Sequence, residues 1–201
     1  SMLLAGDIGG TKTVLALFEI QEQSNDIVRH PASERTFPST QYQSLETIIE
    51  EFLGENQMIV TGGSSGVAGP IVGTIARVTN LPWVIDAEAI AERFGFPIHL
   101  LNDLEAVATA IPYLGATDVI SLQEGEATPK GAIGVVAPGT GLGEGFLVWN
   151  GTRYEAHPSE GGHTAFGPTT PEQLDLLNYW LPRMGHVSYE RVCSGLGIPN
   201  I

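Results

Sequence analysis

The stretch Ala5–Thr13, AGDIGGTKT, constrains this chain more than any other. A run of apolar and small residues, Met2 to Ala5, leads to Asp7. Gly9 and Gly10 follow, with hydroxyls at Thr11 and Thr13, and a second apolar run spans Val14 to Phe18. The pattern predicts strand, tight turn, strand. Adjacent glycines suit the primed hairpin turns because both tolerate positive φ. Two readings fit the tip. One is an ordinary hairpin with a charged end. The other is a phosphate site, in which bare backbone N–H groups and hydroxyls hold phosphate oxygens while a nearby carboxylate holds a magnesium hydration shell. The spacing G-x-x-x-x-G-K-[ST] does not occur, and the third glycine of the dinucleotide fingerprint is missing, so neither common helix-terminus phosphate loop is present.

Further along, helical and strand patterns alternate. Gln21–Ser39 is polar and reads as loop and strand ends. Ser44–Leu53 carries a helical apolar stripe with Ser44 as N-cap and Gly54 as C-cap. Met58–Thr61 reads as a short parallel strand, and the glycine-rich Gly62–Gly73 as a strand-edge segment lining a cleft. Thr79–Trp83 is a turn. Asp86–Phe94 is a helix capped by Asp86 and stopped by Gly95. Ile98–Leu101 reads as a buried strand that delivers Asn102 and Asp103 to the helical segment Leu104–Leu114. Val119–Leu122 and Ala132–Ala137 are strand candidates, and Asn150-Gly151 marks a hairpin after the strand Phe146–Trp149. Pro171–Leu181 is a helix capped by Thr170, and Ser188–Cys193 begins another. Strands alternating with helices, with hairpins interspersed, predict an α/β fold with a mixed sheet.

The formal net charge of −14, with only 9 Lys and Arg, disfavours nucleic-acid binding. One cysteine, Cys193, makes no internal disulfide and fits a reducing compartment. No apolar run reaches membrane-spanning length. No membrane partner is expected, and a cytoplasmic location is.

Three further constellations carry chemistry. Asn102-Asp103 lies at a strand's carboxyl end, where open α/β sheets bind ligands. Asp103 fits either a plain helix cap or a carboxylate that deprotonates a hydroxyl; phosphoryl transfer asks little more of a base than position. Thr140, between Gly139 and Gly141 in PGTGLG, fits either a glycine turn or a second lip of a nucleotide clamp. Glu160-Gly161-Gly162-His163 places a good acceptor for sugar hydroxyls beside an imidazole. Zinc is disfavoured there, since H-E-x-x-H is absent and Cys193 is alone. Glu190, in SYERV, reads by itself as a first-turn helix glutamate facing solvent.

The hairpin loop resembles the first phosphate loop of the sugar kinase and actin superfamily, where a β-hairpin cradles the nucleotide phosphates. Taken in order, GDIGGTKT, TNLPWVID, LNDLEAVATAIPYL, PGTGLGEGFLV, SEGGHTAFGP and GHVSYERVCSGLGIPNI resemble the bacterial glucokinases of the hexokinase type across essentially the whole chain. The resemblance implies ribonuclease-H-like (actin/hexokinase-type) α/β domains around a cleft that closes on sugar. It implies a small domain over residues 2–115, with the first phosphate loop and catalytic Asp, and an incomplete large domain over 116–201.

The activity implied is transfer of the γ-phosphoryl of ATP to the 6-hydroxyl of glucose, with magnesium. Asp103 is implied as the base and Asn102, Glu160, His163 and Glu190 as sugar contacts. The resemblance likewise implies that Gly6, Asp7, Ile8, Gly9, Gly10 and Thr11 form the first phosphate loop, with Asp7 near the metal, and that Gly139, Thr140 and Gly141 form the second. A homodimer of the full-length protein is expected. Family members are longer, and their adenosine-binding glycine motif lies beyond the part matched here, so the chain is expected to be an N-terminal fragment that is inactive alone. Lys12 resembles the related repressor/kinase group, but that group's zinc cysteines are missing after EGGH, and no helix-turn-helix segment precedes Leu3. The alternatives are a kinase for another hexose, or a non-catalytic sugar-binding regulator.

Overall fold

The computed structural model describes residues 1–20 and 29–201. The first part of the expected polar segment 21–39, residues 21–28, lies outside the described residues. Two compact units divide the chain, Ser1–Ala106 and Val107–Ile201.

The first unit is built on a five-stranded mixed sheet in the order β3-β2-β1-β4-β8. Its strands are β1 (Met2–Ile8), β2 (Lys12–Glu19), β3 (Ser33–Pro38), β4 (Val60–Val67) and β8 (Ile98–Asn102). The first three run antiparallel, and β1, β4 and β8 run parallel. Between β4 and β8 lies a small antiparallel sheet of β5 (Ile71–Val72), β6 (Ile75–Arg77) and β7 (Val84–Asp86). Helices α1 (Leu45–Asn56) and α2 (Ala87–Phe94) supply Leu45, Ile48, Ile49, Phe52 and Ile90 to a core shared with Leu4, Ile8, Leu15, Leu17 and Phe37. The ring of Phe37 meets those of Tyr42 and Phe52 edge-on, a geometry that adds about 0.5–1.5 kcal/mol per pair beyond area burial.

The expected caps are in place. The Ser44 hydroxyl accepts from the Thr47 N–H, the Asp86 carboxylate accepts from the N–H groups of Glu88 and Ala89, and Gly95 closes α2 at φ 79°. Three expectations are corrected. Gly54 does not end α1; the helix continues to Asn56, and Gln57 takes the left-handed position at φ 49°. The stretch Gly62–Val67 is not an edge segment but the body of β4, between β1 and β8. Small residues are needed there because neighbours press close: a Cβ on Gly63 would lie 3.0 Å from the Leu4 carbonyl oxygen, and one on Gly66 3.1 Å from the Ala106 Cβ. Leu104–Leu114 divides into α3 (Asp103–Ala110) and a 3₁₀ turn at Ile111–Tyr113, where Pro112 cannot continue α-helical bonding.

The second unit carries an antiparallel sheet of β9 (Ile133–Pro138), β10 (Leu142–Trp149) and β11 (Tyr154–Ser159) in the order β11-β10-β9. The Asn150-Gly151 turn joins β10 to β11, with Gly151 at φ 103°. Helix α4 (Pro171–Met184) starts as expected, with the Thr170 hydroxyl accepting from the Gln173 N–H, and runs past Leu181 to a stop at Gly185. Val119–Leu122 forms no strand, and its Ile120 and Leu122 are almost fully exposed. The Ser188–Cys193 segment makes only a 3₁₀ turn, Tyr189–Arg191. No described helix is long and apolar enough to cross a membrane. The expected α/β class with a mixed sheet is thus what the chain adopts.

Candidate active site

In the first unit the register aligns the candidates along one sheet edge. Ile8 pairs with Val67, and Val67 with Asn102, so the parallel strands end level. The turn after β1 and the Asn102–Asp103 junction after β8 leave the same edge, about 10 Å apart at two strand spacings.

The Gly9–Thr11 turn departs from the expected primed geometry, since neither Gly9 nor Gly10 has φ in the left-handed region. What demands glycine is proximity. A Cβ on Gly10 would lie 2.8 Å from the Thr79 carbonyl oxygen, and one on Gly9 3.1 Å from that of Lys12. The carbonyls of the turn are pinned from below. The Ser39 hydroxyl donates to the Gly9 oxygen at 2.7 Å, and the Ser39 N–H donates to the Thr11 oxygen at 3.0 Å. Ser39 and its partner hydroxyl Thr13, 2.9 Å away, are both fully buried. The Gly9 N–H donates to the Lys12 oxygen at 3.0 Å, so an anion at this turn would meet the N–H groups of Gly10 and Thr11. Sequence reasoning missed Ser39, which lies 28 residues after Thr11 and has no motif around it.

Asn102 is half-buried. Its amide donates to the Gly69 oxygen at 3.2 Å and its Oδ1 accepts from the Leu104 N–H at 3.1 Å. Asp103 opens α3 with an exposed side chain whose Oδ1 accepts from the Leu104 N–H at 2.8 Å. Asn102 and Asp103 therefore share the Leu104 N–H at the start of α3, each through its Oδ1. Asp7 is exposed at the end of β1 beside the turn. Among the described residues no group of three carboxylate, imidazole or thiol ligands gathers into a metal cage. Magnesium does not need one: it keeps several waters and binds through one or two carboxylates plus substrate phosphates, which a lone exposed Asp7 fits.

In the second unit Glu160, His163 and Glu190 converge. His163 Nε2 lies 3.5 Å from Glu160 Oε2, and its Nδ1 lies 3.9 Å from Glu190 Oε1. Glu160 precedes a 3₁₀ turn, Gly161–His163, that packs onto β10: a Cβ on Gly162 would strike the Leu142 carbonyl, and one on Gly161 the Glu144 carboxylate. Main-chain bonds from Phe166 to Val187 and from Tyr189 to Thr164 lay the Glu190 segment alongside. The expectation that Glu190 faces solvent from a helix is corrected. Its side chain is 31% exposed, against 90% for Glu160, and its Oε2 accepts from the Leu142 N–H at 2.9 Å.

The Gly139–Gly141 turn between β9 and β10 closes with a bond from the Gly139 N–H to the Gly141 oxygen. The carbonyls of Gly139 and Thr140 accept from the N–H groups of Gly195 and Leu196 at 2.7 and 3.2 Å. Here too the acceptors are pinned. Cys193 is exposed.

A β-hairpin turn at the carboxyl edge of a mixed sheet, with a carboxylate two strands away, is the arrangement that the resemblance to the sugar kinase and actin superfamily implies. Comparison with known proteins narrows this. The glucokinase family model matches residues 4–201. The glucokinase of Nostoc punctiforme is 40% identical over 205 residues, covering 100% of this chain and 59% of that protein. The crystal structure of glucokinase from an Antarctic psychrotroph superposes with a TM-score of 0.88 at 32% identity, covering 99% of this chain and 62% of that one. Glucokinase from Balamuthia mandrillaris, solved in complex with glucose, shares the fold at a TM-score of 0.64 and 24% identity, over 100% of this chain and 61% of that one. The chain belongs to the glucokinase family, and it spans about 59% of the length of the Nostoc relative.

Proposed function

We propose that the full-length protein carrying this chain is a glucokinase that phosphorylates glucose at its 6-hydroxyl with ATP. The observation that carries the reading is the Asn102–Asp103 junction: it puts the exposed Asp103 carboxylate, whose Oδ1 is bonded to the Leu104 N–H, at the sheet edge where the Gly9–Thr11 turn emerges. The 6-oxygen attacks the γ-phosphorus, the bond from that phosphorus to the β,γ-bridging oxygen breaks, and ADP leaves. Asp103 takes the hydroxyl proton and passes it to solvent; a weak base suffices because the transition state is loose. The Gly10 and Thr11 N–H groups with the Thr11 hydroxyl in the first turn, and the Thr140 and Gly141 N–H groups with the Thr140 hydroxyl in the second, bind phosphate oxygens. Asp7 holds the hydration shell of a magnesium ion, which neutralises phosphate charge when bound. Asn102, Glu160, His163 and Glu190 receive the sugar, the carboxylates accepting from its hydroxyls. The protein works as a cytoplasmic homodimer.

The test is a coupled assay of ADP release by the full-length protein against a panel of hexoses. Glucose-dependent release with the highest kcat/KM for glucose supports the reading. Preference for mannose, fructose or glucosamine moves it to another hexose kinase. Sugar binding by calorimetry without any ADP release makes the protein a binding regulator.

A further inference from the structure

We infer that Glu190 is the positioning residue through which hexose occupancy sets the geometry of the second glycine turn, so that sugar and nucleotide bind with positive coupling. The inference rests on the hexose-kinase reading above.

The two oxygens of the Glu190 carboxylate have separate tasks. Oε2 accepts from the Leu142 N–H at 2.9 Å, at the residue where the chain leaves the Gly139–Gly141 turn. The same oxygen occupies the space beside Gly141, where a Cβ would lie 2.6 Å from it. Oε1 faces His163 at 3.9 Å, on the side where Glu160 also lies. A carboxylate is planar, so a sugar hydroxyl that fixes Oε1 also fixes the plane in which Oε2 meets the turn.

The main chain of the same residue reinforces the link. The Glu190 carbonyl accepts from the buried Ser194 hydroxyl at 2.7 Å, and that hydroxyl accepts from the Gly197 N–H at 2.9 Å. Gly195 and Leu196 then donate to the Gly139 and Thr140 carbonyls. Residues 190–196 therefore hold the turn at three points, two through backbone and one through a side chain. Only the side-chain point has rotamer freedom, because Glu190 is partly exposed. A hexose that removes that freedom pays the ordering cost in advance of the nucleotide. Linkage makes the effect reciprocal, so nucleotide tightens sugar by the same factor.

Glu190→Gln and Glu190→Ala separate the tasks. The Gln amide oxygen can still accept from the Leu142 N–H, but its amino group offers the sugar a donor in place of an acceptor. Ala removes both functions. Three measurements on the full-length protein are decisive. In amide exchange without ligand, the segment holding Leu142 stays protected in wild type and Gln and exchanges at least tenfold faster in Ala. The KM for glucose rises at least fivefold in both variants, whereas the KM for ATP stays within twofold in Gln and rises at least tenfold in Ala. Glucose tightens binding of a non-hydrolysable ATP analogue at least fivefold in wild type and not at all in Ala. Equal ATP KM values in Gln and Ala, or equal exchange in all three proteins, would overturn the assignment. A wild type that binds no hexose overturns the kinase reading and the coupling with it, while the exchange measurement still judges the tether.

Discussion

The two glycine turns share one design and differ in how it is held. Each has two of its carbonyls pinned by hydrogen bonds from another part of its own unit. In the first unit the clamp is Ser39, fully buried, with Thr13 behind it. In the second it is the backbone of Gly195 and Leu196 together with the partly exposed Glu190 carboxylate. A clamp made of core hydroxyls has one setting. A clamp that includes a partly exposed carboxylate can answer to what that carboxylate binds. The acidic chain makes the pinning more important, since a net charge of −14 gives an anionic nucleotide no general attraction.

The comparison is most directly broken at the glycines. Gly10→Ala puts a methyl 2.8 Å from the Thr79 carbonyl, a backbone group that cannot step aside, whereas Gly141→Ala meets only the end of the Glu190 side chain at 2.6 Å. Steady-state kinetics of the full-length protein should show a loss of about a hundredfold or more in kcat/KM for ATP in the first variant, the cost of displacing a positioning loop by roughly 1 Å. The second should lose about tenfold or less. Equal losses would mean that the two clamps are equally stiff.

Ser39→Ala comes next. It strands the buried Thr13 hydroxyl and releases the Gly9 carbonyl, so stability should fall by about 1–3 kcal/mol in denaturant titration, with a rise in the KM for ATP. Thr170→Ala sharpens the contrast. It removes the cap of α4 and should cost about 1 kcal/mol, yet it touches neither turn, so the KM for ATP should not move. A rise in that KM in both variants would reduce the Ser39 effect to general instability.

The smallest effect concerns pH. The Glu172 carboxyl is held below its ordinary range by its own backbone N–H and then by the Thr170 hydroxyl, at the start of α4. A depressed folded-state pKa favours the native chain above the unfolded value and loses that favour as pH falls through the folded one. Thermal melts should therefore show Glu172→Gln converging with wild type as the pH drops below about 4, the ordinary carboxylate range. A gap that widens on acidification would contradict the assignment.

Features whose cause is local could be read from the residues alone. Ser44, Asp86 and Thr170 cap helices because each can reach an N–H two or three residues on, and Gly95 and Gly151 adopt positive φ where only the adjacent chain decides it. Features whose cause is a distant partner could not. The GGSSG run of β4 reads as a strand-edge segment by composition and is a central strand because β1 and α3 press on it. Gly9 and Gly10 signalled the hairpin correctly for the wrong reason, since the nearby carbonyls of Lys12 and Thr79 rather than φ demand the absence of a side chain. Ser39 carried no signal at all, and Glu190 looked like a surface residue because Leu142, 48 positions earlier, is what it holds.

Asp103 is the residue on which the proposed phosphoryl transfer turns most directly. Replacing it with Asn keeps the size of the side chain and an oxygen for the Leu104 N–H while removing the base. Glucose-dependent ADP release by the full-length Asp103→Asn protein should fall about 10²–10⁴-fold, the usual span for a general base, with the calorimetric Kd for glucose within threefold of wild type. Turnover at the wild-type rate would contradict the account.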